Sequence, residues 1–260
     1  MGETRPGLDT AAEQSRGRDV LFYVPNLIDY LRIALFAAAC MFLSVSSGWF
    51  IVLYVVAVLL DSYDGYFARK LDQVSLFGSW LDVIIDNIQR GFLWNLVLPG
   101  FGAFVSALEW MTFLCTHSYG KQWKEQAAHL PKQPAVVARI TENGMNTFLG
   151  SFILNSIHCL PVLLFLRSHS ELMPVFFPDW ALYPPVLVCL IGRLLAGTVE
   201  LWLISVHVRL MLLEDAAQAS VRHRMKKSSV GASPTEGKIT RKASRIMLTD
   251  LRSDILDFVD

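Results

Sequence analysis

The amino-acid sequence predicts an all-α, polytopic membrane protein with about six transmembrane helices. Hydrophobic residues fill 53% of its 260 positions and charged residues only 18%. With a mean hydropathy of +0.41, the chain has too few charges to cover a water-soluble domain. Its apolar residues gather into long, nearly uncharged runs, as expected of segments that satisfy their own backbone hydrogen bonds in lipid. The loops between the runs differ sharply in Lys and Arg content. Basic and acidic residues both total 23, so the overall charge names no partner, and a nucleic acid is not among those expected.

The runs follow in order. Leu31 to Ser47 is the first, and Trp49 to Leu60 begins the second after the turn signal Ser46-Ser47-Gly48. Phe77 to Leu98 is the third, interrupted by aspartates, and Pro99-Gly100 turns the chain into a fourth, Phe101 to Thr116. After the polar stretch Tyr119 to Asn143, a fifth spans Met145 to Leu166. The sixth, Tyr183 to Leu213, is longer than the ~20 residues a bilayer core requires, so its end projects into water. Cys40, Cys115, Cys159 and Cys189 lie in or beside these runs without a CxxC pair and read as buried thiols.

Basic residues set the orientation. The loop after the fourth run holds Lys121, Lys124, Lys132 and Arg139, whereas Ser168 to Leu182 holds no Lys or Arg. The first loop is therefore expected on the cytosolic side, together with both termini and the junction of the second and third runs. Residues 1–20 carry Arg5, Arg16 and Arg18 without an apolar core, which predicts a flexible cytosolic N-terminus rather than a cleaved signal peptide. Residues 21–216 are expected to form one membrane domain, and 217–260, rich in Ser, Lys and Arg, a flexible cytosolic tail. Within it, Met247, Leu251, Ile255 and Phe258 share one helical face, fitting either a frayed terminal helix or one that docks on a protein partner. Ser244, after Arg241-Lys242, is a candidate phosphorylation site.

The chemistry is expected where acid interrupts apolar sequence. Asp61 and Asp64 are three residues apart near the end of the second run, and Asp82 and Asp86 are four apart in the third. Each pair shares a helical face, so two adjacent helices could aim four carboxylates at one volume. Near a membrane each charge costs on the order of 3 kcal/mol. Four together need cations, and hard oxygen donors favour Mg2+ or Mn2+. A purely structural arrangement would instead pair them with Arg69, Lys70 and Arg90. Further polar residues interrupt the runs at Glu109, His158, Arg193, Glu200 and His207. Arg193 and Glu200, two turns apart, could line an acceptor pocket or pair with neighbouring helices.

The stretch Asp61 to Asp86 resembles the signature of the CDP-alcohol phosphatidyltransferases, D-x2-D-G-x2-A-R-x8-G-x3-D-x3-D, with all eight fixed positions matched and the spacing unbroken. Within that family, Val24-Pro25-Asn26-Leu27-Ile28 with Tyr30 and Arg32 resembles the start of the eukaryotic phosphatidylinositol synthases. The resemblance implies that Asp61, Asp64, Asp82 and Asp86 hold the divalent metal and that Asp86 is also the general base. It implies that Asn26, Gly65, Arg69 and Ser75 bind the CDP moiety. The chain departs from the pattern at Asp29, where a small or hydroxyl residue is usual, and at Asn87, where a basic residue is usual. Arg90, one turn on, could substitute for the latter or serve packing or lipid headgroups.

The implied activity is transfer of a phosphatidyl group from CDP-diacylglycerol to a polar alcohol, myo-inositol first, with release of CMP in phospholipid biosynthesis at the endoplasmic reticulum. Glycerol phosphate, serine or an aminoalcohol with a CDP-activated headgroup are the alternative substrates, and a catalytically silent membrane scaffold is the alternative of another class. Besides the two substrates and membrane lipid, a homodimer and a tail-binding protein are candidate partners.

Overall fold

Pro25 at the first turn of α1 (Val24–Phe42) starts the helix ahead of the apolar run, because its fixed φ suits a helix N-terminus and its missing N–H costs nothing there. Asn26, Asp29 and Arg32 thereby ride on a helix rather than on a leader segment. The structure, a computed structural model, describes residues 17–117, 133–172 and 178–229. In it α2 is Ser47–Lys70, α3 Leu76–Val97, α4 Phe101–His117, α5 Ala135–Thr141, α6 Phe148–Ser168 and α7 Tyr183–Ser229, with short 3-10 turns between some of them. No strand occurs among the described residues, so the all-α expectation is borne out.

Capping explains why the helices break where they do. The Ser46 side chain accepts from the Trp49 N–H at 3.3 Å, and the Ser75 side chain accepts from the Gly78 N–H at 3.0 Å, each satisfying an orphan donor at the start of a helix. Between α2 and α3 the chain reverses through Asp72, whose φ of 53° lies in the left-handed region that Asp tolerates. The Val24 N–H donates to Gln73 Oε1 at 2.9 Å, tying the start of α1 to that same loop. The acid-bearing ends of α2 and α3 and the first turns of α1 are thus gathered at one end.

The chain divides into two compact units, one of Met1–Phe113 with Ile153–Leu194, the other of Leu114–Phe152 with Leu195–Asp260. The first has a core of Ala39, Phe50, Ile51, Tyr54, Leu93 and Phe165. Its rings meet at centroid distances of 5.0 Å for Phe50 with Phe165 and 5.4 Å for Phe36 with Phe92, within the range at which offset and edge packing adds to simple burial. In the second unit, Val137, Ile140 and Met145 are buried.

Four helices are long and apolar enough to cross a membrane: α1, α2, α6 and the stretch Trp180–Leu212 that leads into α7. Only 28% to 33% of each apolar window is buried inside the protein, so the remaining apolar surface needs lipid, and the chain is an integral membrane protein. Length and composition do not reach the expected count of six. In α3 the residues Asp82, Asp86 and Arg90 break the apolar window, and α4 has 17 residues. Helix α7 continues to Ser229, past the tail boundary expected at residue 216. None of the four cysteines is in a disulfide; Cys115 is buried and Cys159 is exposed, which corrects the expectation that all four are buried. The first part of the N-terminal segment, Lys121, Lys124 and Lys132, Ser244 and the amphipathic stretch to Asp260 lie outside the described residues.

Candidate active site

Arg32 is the centre of the acidic cluster and is wholly inaccessible to solvent. Its Nη1 lies 3.0 Å from Asp29 Oδ1, 3.0 Å from Asp64 Oδ2 and 2.8 Å from Asp82 Oδ1. Its Nη2 lies 2.6 Å from Asp86 Oδ1 and 2.9 Å from Asp61 Oδ1, and its Nε donates to the Ala57 carbonyl at 3.3 Å. A planar fork of donors can serve several carboxylates at once in a way that an ammonium cannot. The i, i+3 spacing of Asp29 and Arg32 on α1, of Asp61 and Asp64 on α2, and the i, i+4 spacing of Asp82 and Asp86 on α3 turn all six side chains toward one volume.

Arg32, even with Arg90 on the second oxygen of Asp86, cannot balance five carboxylates. The excess negative charge at a low-dielectric boundary is the physical argument for a cation. Two triads have oxygens within 4.8 Å of one another, Asp61 with Asp82 and Asp86, and Asp29 with Asp64 and Asp82. Asp82 belongs to both. All the donors are hard oxygens, which suits a divalent cation of the Mg2+ or Mn2+ kind. The four aspartates expected from the sequence therefore do come together, but as members of two overlapping triads and with Asp29 added. Asp29 and Arg32 were the contributions that motif spacing did not assign. Their i, i+3 spacing in the first turns of an apolar helix marks a local ion pair but does not name the carboxylates that join it.

A cavity opens beside the second triad, lined by Asn26, Asp29, Asp64, Gly65, Ser75 and Gly78 among others. Asn26 is wholly buried, donates from Nδ2 to the Val20 carbonyl at 2.5 Å, and leaves Oδ1 without a partner among the described residues. A Cβ on Gly78 would stand 2.7 Å from Asn26 Oδ1 and 3.0 Å from Ser75 Oγ, so a larger residue would have to displace the buried Asn26 amide. A Cβ on Gly65 would meet Arg69 Nη1 at an ordinary 3.5 Å. Gly65 is thus not required by packing and keeps the cavity wall open. The Gly65 N–H also donates to Asp64 Oδ1. Three of the four residues expected at the CDP moiety, Asn26, Gly65 and Ser75, line this cavity; Arg69 is exposed on the last turn of α2, with its guanidinium folded back toward Gly65. Neither Arg69 nor Lys70 pairs with the aspartates among the described residues, so the purely structural pairing scheme does not hold for them.

Asp86 faces a second arginine. Arg90 Nη1 donates to Asp86 Oδ2 at 3.0 Å and lies 3.1 Å from His158 Nε2. Arg90 Nε donates to Glu109 Oε2 at 3.0 Å, and Nη2 donates to Asn87 Oδ1 at 2.6 Å. Glu109 Oε1 lies 3.6 Å from Arg193 Nη2. Of the polar residues inside apolar runs, His158 therefore lies beside Asp86, at 3.6 Å, while Glu109 and Arg193 join it only through Arg90, all within the first unit. Glu200 and His207 belong to the second.

Residues 22–120 match the model of the CDP-alcohol phosphatidyltransferase family, which bears out the resemblance read from the motif over that segment. Curated relatives carry the name CDP-diacylglycerol–inositol 3-phosphatidyltransferase. The chain is 37% identical to that of Schizosaccharomyces pombe over 74 residues, 28% of this chain and 31% of that protein. It is 45% identical to that of Drosophila melanogaster over 72 residues, 26% of this chain and 31% of that protein. It is 31% identical to enzyme 1 of Arabidopsis thaliana over 124 residues, 43% of this chain and 55% of that protein. The matches span between about a third and just over half of these relatives. No solved structure matches the chain.

Proposed function

We propose that this chain is a divalent-metal-dependent transferase that moves the phosphatidyl group of CDP-diacylglycerol to a polar alcohol, myo-inositol first, and releases CMP. The observation that carries the reading is the convergence of Asp61, Asp64, Asp82 and Asp86 beside a cavity lined by Asn26, Gly65 and Ser75. The names of the relatives support inositol as acceptor.

In this reading Asp61, Asp64, Asp82 and Asp86 hold Mg2+ or Mn2+. When bound, the ion supplies positive charge for the diphosphate and for the departing CMP. The cavity of Asn26, Gly65 and Ser75 takes the CDP moiety, and the open wall at Gly65 lets the ligand approach backbone. Arg69, exposed at the rim, contributes a planar donor fork for a phosphate. The acceptor oxygen attacks the lipid-side phosphorus, the bond from that phosphorus to the CMP oxygen breaks, and the acceptor proton passes to Asp86. Asp86 suits the role because its two oxygens are held from opposite sides by Arg32 and Arg90. Helices α3 and α4 bring the transmembrane helices to about six, both termini and the site face the cytosol, and the endoplasmic reticulum follows from the lipid chemistry.

The departure at Asn87 supports a second reading with the same chemistry and another acceptor. The test uses the purified full-length protein in lipid with CDP-diacylglycerol, Mg2+ or Mn2+, and labelled inositol, glycerol phosphate and serine. The expected result is lipid product from inositol with CMP released in equal amount. Failure to turn over any alcohol, with no binding of CDP-diacylglycerol, overturns the reading in favour of a scaffold.

A further inference from the structure

We infer that Arg90 is the positioning residue of Asp86: it grips the second carboxylate oxygen and is itself oriented by Asn87 and Glu109, so that the proton-accepting group is aimed through a buried ionic chain. The inference rests on the transferase reading and deepens it.

The geometry leaves the guanidinium almost no freedom. Its three nitrogens are each committed, Nε to Glu109 at 3.0 Å, Nη1 to Asp86 at 3.0 Å and Nη2 to Asn87 at 2.6 Å. Arg90 is 8% exposed and Glu109 5%, so solvent does not compete for these bonds. The chain continues from Glu109 to Arg193 Nη2 at 3.6 Å. Charges alternate along Asp86, Arg90, Glu109 and Arg193, and this lets ionised groups stand in an apolar interior without a net excess.

Asn87 suits its position for the same reason. Its Oδ1 accepts from Arg90 while its Nδ2 has no partner among the described residues, so the amide serves this contact alone. A cation at residue 87 would stand against the Arg90 guanidinium.

On the other side of Asp86, Oδ1 is engaged by Arg32, inside the acidic cluster. If Arg32 alone held Asp86, the carboxylate could swing about χ2 whenever the cluster rearranges around a cation. With Arg90 on Oδ2 the carboxylate plane is fixed at both ends, and a fixed plane sets which lone pair meets the acceptor hydroxyl. Misplacement of a reacting group by about 1 Å costs on the order of 100-fold in rate.

The test compares wild type with Arg90→Gln, Arg90→Lys and Glu109→Gln in the full-length protein in lipid. It measures kcat and KM separately, Mn2+ affinity by electron paramagnetic resonance, the melting temperature, and the carboxylate stretch of Asp86 isolated by infrared difference against Asp86→Asn. Arg90→Gln is expected to lower kcat about 100-fold, with KM for CDP-diacylglycerol and Mn2+ affinity changed less than about threefold and the Asp86 band shifted. An ammonium cannot reach three partners in one plane, so Arg90→Lys recovers about tenfold of that loss, and Glu109→Gln falls between Lys and wild type. Should Arg90→Gln not fold, Arg90→Lys and Glu109→Gln carry the same test. Wild-type kcat in Arg90→Lys, or a kcat loss in every variant that only follows the melting temperature with the Asp86 band unmoved, overturns the inference. A wild-type protein without turnover fails the transferase reading instead, and the Asp86 band then decides the positioning role by itself.

Discussion

Arg32 Nη2 and Asp86 Oδ1 lie 2.6 Å apart across 54 residues of chain, joining α1 to α3 at the centre of the acidic cluster. The same guanidinium reaches Asp61 and Asp64 on α2, so one buried cation ties three helices. Removing one partner from a buried ionic cluster costs about 3–5 kcal/mol. Arg32→Gln is expected to lower the melting temperature sharply, and added Mn2+ to recover more stability in the variant than in wild type. Thermal unfolding in detergent with and without Mn2+ measures both; equal shifts in the two proteins would contradict a shared role for Arg32 and the cation.

Asp86→Asn keeps the shape of the side chain and its hydrogen bond to an arginine but removes the proton acceptor. Loss of a general base costs typically about 10²–10⁴-fold. Transfer is expected to fall by that range while binding of CDP-diacylglycerol persists, checked by initial rates and by equilibrium binding of the labelled donor.

The two glycines separate packing from ligand approach. Gly78→Ala forces a Cβ to 2.7 Å from Asn26 Oδ1 and is expected to destabilise the junction of α1 and α3 by about 1–3 kcal/mol, the cost of overpacking. Gly65→Ala meets only ordinary contacts inside α2 and is expected to hold or raise the melting temperature while weakening donor binding. Paired unfolding and binding measurements on the two variants check the contrast.

Asp29 adds a carboxylate to the triad with Asp64 and Asp82. Asp29→Asn is expected to weaken Mn2+ binding by about tenfold, near the lower end of what loss of a supporting contact does at metal sites. Chelation with EDTA is expected to abolish turnover and Mg2+ or Mn2+ to restore it. A Mn2+ titration followed by electron paramagnetic resonance, wild type against variant, reads the affinity change directly.

Much of the site was legible because helical spacing is local. Asp61 with Asp64, and Asp82 with Asp86, share faces by periodicity alone, and Ser46 and Ser75 mark helix starts by their capping chemistry. Asp29 shows where that reasoning stops. As a departure from a pattern it had no assigned role, and only the packing of α1 against α2 and α3 put it beside Asp64. Arg69 shows a different case, since the motif groups it with Asn26, Gly65 and Ser75 while the last turn of α2 leaves it exposed outside the cavity lining, near Gly65. The same aspartates and Arg90 that make α3 chemically interesting also deprive it of the hydropathy by which a membrane span is recognised.

The sequence by itself determined the helical class, the apolar runs and the faces on which acid is displayed, because these depend on contacts within a few residues along one helix. Tertiary structure alone decided that Arg32 stands among five carboxylates, that Asp82 is shared by two triads, and that Arg90 reaches Glu109 and His158 beyond its own helix. Those outcomes depend on how helices distant in sequence pack against one another, and on the need of each buried charge to find an opposite one wherever the fold supplies it.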